Sequence, residues 1–252
     1  MTRNFFQLIF LLLSLCVSRP GSAQNGQTVQ IAVAANFAAP MQQIAASFEV
    51  SSGYHVAISA GATGKFYAQI KNAAPFDILL SADQSTPTQL AQEKFAVPKT
   101  QFTYATGKLV LWSATPAIAN VGALLKSGQF KHIALASPTL APYGAASIET
   151  LKALNLLEQV APKIVQGESI GQTYTFAATG NAELGFVALS QVWKDGKIQS
   201  GSAWIVPQKL YSPIHQDAII LTHGVGNPAA LALVAYLKSD AAKKIMHSFG
   251  YE

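Results

Sequence analysis

The chain has 252 residues, half of them hydrophobic and 12% charged, with 17 basic against 12 acidic side chains and a single cysteine. This balance excludes a polybasic nucleic-acid surface, because the lysines are scattered and the one adjacent pair, Lys243-Lys244, reads as a solvated helix face. It also excludes a disulfide-stapled scaffold, since a chain of this length buries a sizeable core without cross-links.

Met1 to Asn4 carries a positive charge, Phe5 to Val17 is an apolar run of 13 residues, and Gly21-Ser22-Ala23 supplies small residues after it. That is the three-part pattern of a secretory signal cut after Ala23, so residues 1–23 are expected to be a removed leader and the mature chain to be exported. A spanning helix needs about 20 apolar residues, more than the run offers. Cys16 lies inside the leader, and Leu15 stands where a lipid-attachment signal places a small residue, so cleavage is the reading preferred to lipidation. Loss of Arg3 and Arg19 lowers the net charge from +5 to +3.

Thr28 to Val33 reads as a buried strand, and Pro40 to Phe48 carries Met41, Ile44, Ala45 and Phe48 at helical spacing up to a stop at Gly53. Tyr54 to Ser59 is a second strand, Phe66 to Ile70 a second helix, Pro75 to Leu80 a third strand, and Thr86 to Gln92 a helix with an early proline. This β-α-β-α-β-α order implies a parallel sheet covered on both faces. A second such series begins with the apolar strand Lys108 to Trp112. It continues through strand His132 to Ala136, helix Ala145 to Leu154, strand Lys163 to Gln166, helix Gln172 to Ala178, and strands Leu184 to Ala188 and Ser202 to Val206.

In the tail, Ala218 to Leu221 is a strand, Asn227-Pro228 opens a helix to Lys238, and Ser239 caps a last helix ending at Gly250. If the tail strand rejoins the first sheet, the chain crosses between two halves twice, near Tyr104 to Gly107 and near Tyr211 to Pro213. The expected organisation is a leader over 1–23, a first lobe over 24–105 plus 213–252, and a second over 106–212, hinged around a cleft at the strand C-termini.

Reactive groups are sparse. His55, His132, His215, His223 and His247 have no ligand spacing for zinc, and no Gly-x-Ser-x-Gly turn is present. Gly64-Lys65 matches part of a phosphate loop, but Ser59 and Phe66 break the pattern at both ends. Asp77 and Asp83 flank the third strand. They are read first as turn braces and second as the acid/base pair of a secreted α/β enzyme. No catalytic residue and no cofactor is expected.

What recurs instead is an apolar run that stops at small, neutral, hydrogen-bonding residues before a helix pattern. The four junctions are Ala34-Ala35-Asn36-Phe37, Gly61-Ala62-Thr63-Gly64-Lys65, Ala141-Pro142-Tyr143-Gly144 and Gly167-Glu168-Ser169-Ile170-Gly171. At a helix start the first N–H groups lack intrahelical partners and the dipole is positive, so such loops suit an oxyanion without a formal cation. Lys65 is the one full positive charge near them. The alternative for Asn36 and Thr63 is simple helix capping.

Several linked motifs carry a resemblance over essentially the whole mature chain: Ala-Ala-Asn-Phe followed by Pro-Met, Thr-Gly-Lys-Phe-Tyr-Ala-Gln-Ile, Ala-Pro-Phe-Asp-Ile-Leu-Leu-Ser-Ala-Asp, Ala-Pro-Tyr-Gly-Ala-Ala, Gly-Asn-Ala-Glu-Leu-Gly-Phe-Val-Ala-Leu-Ser and the terminal Phe-Gly-Tyr-Glu. Together they resemble the periplasmic molybdate-binding proteins of ATP-driven importers. The resemblance implies an α/β fold of two Rossmann-like lobes joined by two crossover segments, the type II periplasmic-binding-protein architecture with the ligand cleft between lobes. It implies a monomer that captures molybdate or tungstate and delivers it to a membrane permease of an ABC importer, with molybdenum present only as the bound oxyanion. It places the oxyanion contacts at Asn36, Thr63, Tyr143 and Ile170, with Ala35 and Ala62 as additional neighbours. Asn36 would donate through side-chain amide and backbone, Thr63 through hydroxyl and backbone, Tyr143 and Ile170 mainly through backbone. Many relatives have Ser at the positions of Asn36 and Thr63, and some have a tyrosine ligand where this chain has Ala188; the Tyr143 phenol either takes over that contact or packs as a lid. A receptor of the same build for sulfate or phosphate is the alternative, with Glu168 as an acceptor for a protonated phosphate.

Overall fold

The structure is a computed structural model and describes residues 27–252; the leader and Cys16 lie outside the described residues. Strands β1 (Thr28–Ala34), β2 (His55–Gly61) and β3 (Ile78–Leu80) alternate with helices α1 (Ala38–Ser52), α2 (Thr63–Lys71) and α3 (Ser85–Gln92). Strand β4 (Phe102–Gly107) follows, and after Lys108 the chain enters the second half with β5 (Leu109–Ser113), α4 (Val121–Ser127), β6 (Ile133–Ala136) and α5 (Pro142–Ala153). Next come α6 (Leu157–Val160), β7 (Ile164–Gly167), α7 (Ile170–Ala178), β8 (Leu184–Ala188) and α8 (Leu189–Val192). A small hairpin of β9 (Trp193–Lys194) and β10 (Lys197–Ile198) precedes β11 (Ser202–Ile205). Strand β12 (Ile214–Ile220), α9 (Pro228–Leu237) and α10 (Asp240–Ser248) complete the chain.

Two five-stranded sheets result, ordered β2-β1-β3-β12-β4 and β11-β5-β8-β6-β7. Both are mixed, which corrects the all-parallel expectation. The tail strand β12 does return to the first sheet, but antiparallel to β3 and to β4. In the second sheet β5 runs antiparallel to both β8 and β11, while β6 is parallel to β7 and β8. The reason is connectivity: β12 and β5 arrive from the opposite half of the molecule rather than through a local helix crossover, and so escape the handed βαβ constraint.

Each sheet is covered on both faces. In the first, Val29, Ile31 and Val33 of β1 pack with Met41, Ile44 and Phe48 of α1 and with Leu233 and Met246 of the last two helices. Ala32 and Leu79 point the other way, toward Phe66, Ile70 and Leu90 of α2 and α3. In the second, Leu109, Leu111, Ile133 and Phe186 form one core with α4 and α5, while Val110, Trp112 and Val187 face α7 and α8. The alternation follows from the two-residue period of a strand, and two-sided burial explains why these strands read as nearly continuous apolar runs.

Local signals act as their chemistry requires. Gly53 ends α1 with φ +74°, a left-handed conformation that glycine adopts without a Cβ penalty. The side chains of Asn227 and Ser239 cap α9 and α10 as expected, accepting from Ala229 and Ala242 N–H. Helices α5 and α7 start earlier than the periodicity indicates, at Pro142 and Ile170. Both starts bring small-residue loops directly onto strand ends. Among the described residues no helix is long and apolar enough to cross a membrane.

Candidate functional site

Four helix starts lie at the C-terminal ends of β1, β2, β6 and β7. Asn36 sits in a 3-10 turn, Ala35–Phe37, between β1 and α1; Thr63 is the first residue of α2, Tyr143 the second of α5 and Ile170 the first of α7. All four are buried, and so is Ala62, while Ala35 is half-buried.

The structure brings these loops together across the two sheets. The Gly64 N–H donates to the Leu140 carbonyl at 2.9 Å, tying the start of α2 to the loop before α5. Gly171, in the first turn of α7, lies so close to the 3-10 turn that a Cβ there would stand 3.2 Å from the Ala35 Cβ. Lys65 pairs with Glu168, and Ala34 of β1 and Ala82, just after β3, join the apolar cluster that holds Tyr143 and Ile170. The two halves are thus closed on one another around the four starts.

The backbone N–H groups of Asn36, Thr63, Tyr143 and Ile170 donate to no group among the described residues. Of the neighbouring donors, Phe66 N–H bonds to the Ala62 carbonyl, Gly144 N–H to that of Ala141 and Gln172 N–H to Ser169 Oγ, whereas Lys65 and Gly171 N–H, in the first turns of α2 and α7, also have no acceptor among the described residues. Buried N–H groups without acceptors are rare in folded proteins, and these four stand at helix starts, where the dipole is positive.

Side chains behave differently from the sequence reading. Neither Asn36 nor Thr63 caps a helix: the residues preceding α1 and α2 are Phe37 and Ala62, and neither helix has a side-chain cap. Thr63 Oγ1 accepts from the Ala82 N–H at 3.1 Å, which leaves its proton free to donate. The Asn36 amide donates to Gln216 Oε1 at 2.7 Å and to the Tyr251 hydroxyl at 2.9 Å, so both its hydrogens are committed within the chain and its backbone N–H is the free donor. The Asn36 carbonyl accepts from Ser190 Oγ at 2.7 Å. The Tyr143 phenol lies inside this cluster, 3.4 Å from Gln216 Nε2.

Burial pushes the phenols of Tyr104 and Tyr143 well above the usual tyrosine value, with Tyr251 adding to both. Tyr251 itself is raised by burial against the opposing effect of its hydrogen bonds with Ser190 and Asn36. All three are therefore neutral donors at physiological pH. Lys65, the cation nearest the four starts, is paired with Glu168.

Tyr104, Ser190, Gln216 and Tyr251 were not singled out from the sequence. Tyr251 lies in the terminal Phe-Gly-Tyr-Glu motif, a visible signal of kinship but not of contact; Gln216 lies just before the run Ala218 to Leu221 that reads as a strand and carries no signal of its own. Beside the site an open groove of about 470 Å³ runs between the halves, lined by Thr63, Ala82 and Thr86 on one side and Thr139, Pro142 and Glu149 on the other. Thr63 lines this groove, while Asn36, Tyr143 and Ile170 do not.

Asp77 and Asp83 stand at opposite ends of β3 and do not form a pair. Asp77 accepts from the Gln30 N–H at 2.7 Å and meets His223 at 3.1 Å, and Asp83 holds the Thr86 N–H at 2.8 Å at the start of α3. Both are braces. No cluster of three metal-ligating side chains occurs among the described residues.

Two mixed α/β lobes closed over inward-facing helix starts define a solute-binding protein that traps its ligand between lobes. Residues 29–252 match the family of bacterial extracellular solute-binding proteins, and the chain belongs to that family. The molybdate-binding protein ModA of Azotobacter vinelandii is 52% identical over 247 residues, covering 98% of this chain and 98% of the relative. ModA of Rhodobacter capsulatus is 48% identical over 242 residues, covering 96% and 93%. A solved periplasmic molybdate-binding protein from Azotobacter vinelandii superposes with a TM-score of 0.86 at 39% identity, over 89% of this chain and 98% of that one. The sulfate-binding protein SubI of Mycobacterium tuberculosis H37Rv, with a TM-score of 0.72 at 12% identity over 89% and 86%, shares the fold.

Proposed function

We propose that this chain is the periplasmic receptor of an ABC importer for molybdate, and for tungstate as a molecule of nearly the same size and charge. It is a binding protein and carries out no reaction. The observation that carries the reading is the set of four unpartnered N–H groups, on Asn36, Thr63, Tyr143 and Ile170, at four helix starts that meet between the lobes. The kinship with the two ModA proteins supports the choice of oxyanion.

A tetrahedral dianion offers only acceptors, so N–H and O–H donors satisfy it without a counter-charge. Each such bond contributes about 1.5–3 kcal/mol net, so loss of one weakens binding by about tenfold to a hundredfold. Sulfate carries the same charge and the same acceptors, which leaves cavity size to reject it. Glu168 is paired with Lys65 and is 62% exposed, so it is not the buried acceptor that a protonated phosphate would call for. The lobes would comprise residues 24–105 with 213–252 and residues 106–212, moving about the passages near Lys108 and Ser212, with the leader over 1–23 directing export. The receptor would act as a monomer.

A thermal-shift and calorimetric series with molybdate, tungstate, sulfate and phosphate tests this. Molybdate and tungstate should raise the melting temperature in proportion to the logarithm of concentration over Kd, and the other two should not. A shift with sulfate or phosphate alone would overturn the assignment.

A further inference from the structure

Gln216 is fully buried and lies outside the donor set just described. Its Oε1 accepts from the Asn36 amide at 2.7 Å and from the Tyr104 hydroxyl at 3.1 Å, and its Nε2 donates to the Tyr143 hydroxyl at 3.4 Å. Asn36 belongs to a helix start of the first sheet and Tyr143 to one of the second. One amide therefore joins the side chains of two proposed oxyanion contacts, one from each lobe.

Two features of the backbone build this position. Pairing between β12 and β4 shifts register at Gln216/Asp217, whose partners are Ala105 and Thr103, so Tyr104 is the extra residue on β4. A bulge re-aims side chains locally, and here it delivers the Tyr104 hydroxyl to Gln216. At the end of β4, a Cβ on Gly107 would stand 2.0 Å from the Tyr143 hydroxyl and 2.6 Å from Gln216 Nε2, so glycine alone leaves room for that contact. Gly107 also pairs with Ile214, beside both passages between the sheets. The amide thus sits at the pivot of the molecule and touches both sides of its cleft.

A buried amide costs free energy unless its groups are paired, and an apolar side chain of similar volume would fill the space without that demand. Asn36 and Tyr143 belong to opposite halves, so any separation of those halves would leave Gln216 short of a partner. We propose that Gln216 is a positioning residue that couples the donors of the two lobes, so that it sets how slowly a bound oxyanion leaves. The proposal rests on the site reading above.

The test is a double-mutant cycle of Gln216→Leu with Asn36→Ala, measuring molybdate Kd and release rate by stopped-flow tryptophan fluorescence at 25 °C. Gln216→Leu should weaken binding by about tenfold or more, mainly through release, and the loss should be strongly non-additive with that of Asn36→Ala. Gln216→Met, which keeps the chain length, is scored in the same way if the leucine variant fails to fold. A purely structural role would lower the melting temperature of the ligand-free protein and leave release unchanged. Wild-type release in a folded variant, or additive losses, would overturn the proposal. A wild-type chain that bound sulfate in place of molybdate would overturn the ligand assignment while the cycle, run with sulfate, still decided on Gln216. Failure to bind any of the four oxyanions would overturn both.

Discussion

Lys65, in the first turn of α2, and Glu168, in the loop before α7, form an ion pair across the cleft, each from a loop that also carries a proposed oxyanion contact. Both side chains are about half exposed, at 46% and 62%, so the pair contributes little to folding. The two loops belong to different halves of the molecule, so any separation of those halves would break the pair. Lys65→Ala should speed ligand release a few-fold at low salt, and the difference from wild type should vanish at about 0.5 M salt, where the Debye length falls below about 5 Å. The reversed pair, Lys65→Glu with Glu168→Lys, should restore slow release. Stopped-flow release rates across a salt series measure this.

Thr63→Ala removes both the acceptor of the buried Ala82 N–H and the hydroxyl proposed to face the ligand. The orphaned N–H should cost about 1–3 kcal/mol of folding stability, with affinity falling by about tenfold to a hundredfold. Thr63→Ser keeps both bonds and should stay near wild type. Denaturant titration and calorimetry on the two variants separate the effects.

Stability should fall on the alkaline side in a way set by the buried phenols. Tyr104, Tyr143 and Tyr251 have raised values in the folded state, against an ordinary value of 10.0 when exposed. Below about pH 10 they are neutral in both states and contribute no pH dependence; above it the unfolded chain releases protons that the folded chain retains, and unfolding is favoured. The melting temperature should therefore drop steeply above about pH 10, and Tyr104→Phe should make that drop shallower.

Gly144 lies against the end of β6: a Cβ there would come within 2.3 Å of the Ala136 carbonyl oxygen and 2.7 Å of that of Ser137. Backbone atoms cannot yield as side chains do. Gly144→Ala should lower stability by about 1–3 kcal/mol through overpacking, and by displacing the first turn of α5 it should also weaken oxyanion binding. Thermal melts with and without molybdate distinguish the two losses.

Much of the first sheet was legible locally. Strand β1, the stop of α1 at Gly53 and the caps at Asn227 and Ser239 follow from apolar period, left-handed glycine and short polar side chains, all properties of neighbours in sequence. The run Phe102–Gly107 did not read as a strand, because its sequence, Phe-Thr-Tyr-Ala-Thr-Gly, has no clear apolar alternation and its ladder comes from β12, over a hundred positions away. Helix α4, with its Asn120 cap, was likewise missed behind a short, loosely patterned segment.

For the site, sequence by itself determined which loops present neutral donors, because a helix start needs only a few adjacent small residues to leave its N–H groups free. Tertiary structure alone decided what holds those loops together. Inserting β12 antiparallel between β3 and β4 carries Gln216 to Asn36 and Tyr143, and the C-terminus returns Tyr251 to Asn36 and Ser190. These contacts join residues more than 60 positions apart. Long-range strand pairing and the packing of one half on the other leave no periodic or local trace in the chain, and so a buried glutamine between the two halves becomes visible only once the backbone has brought its partners to it.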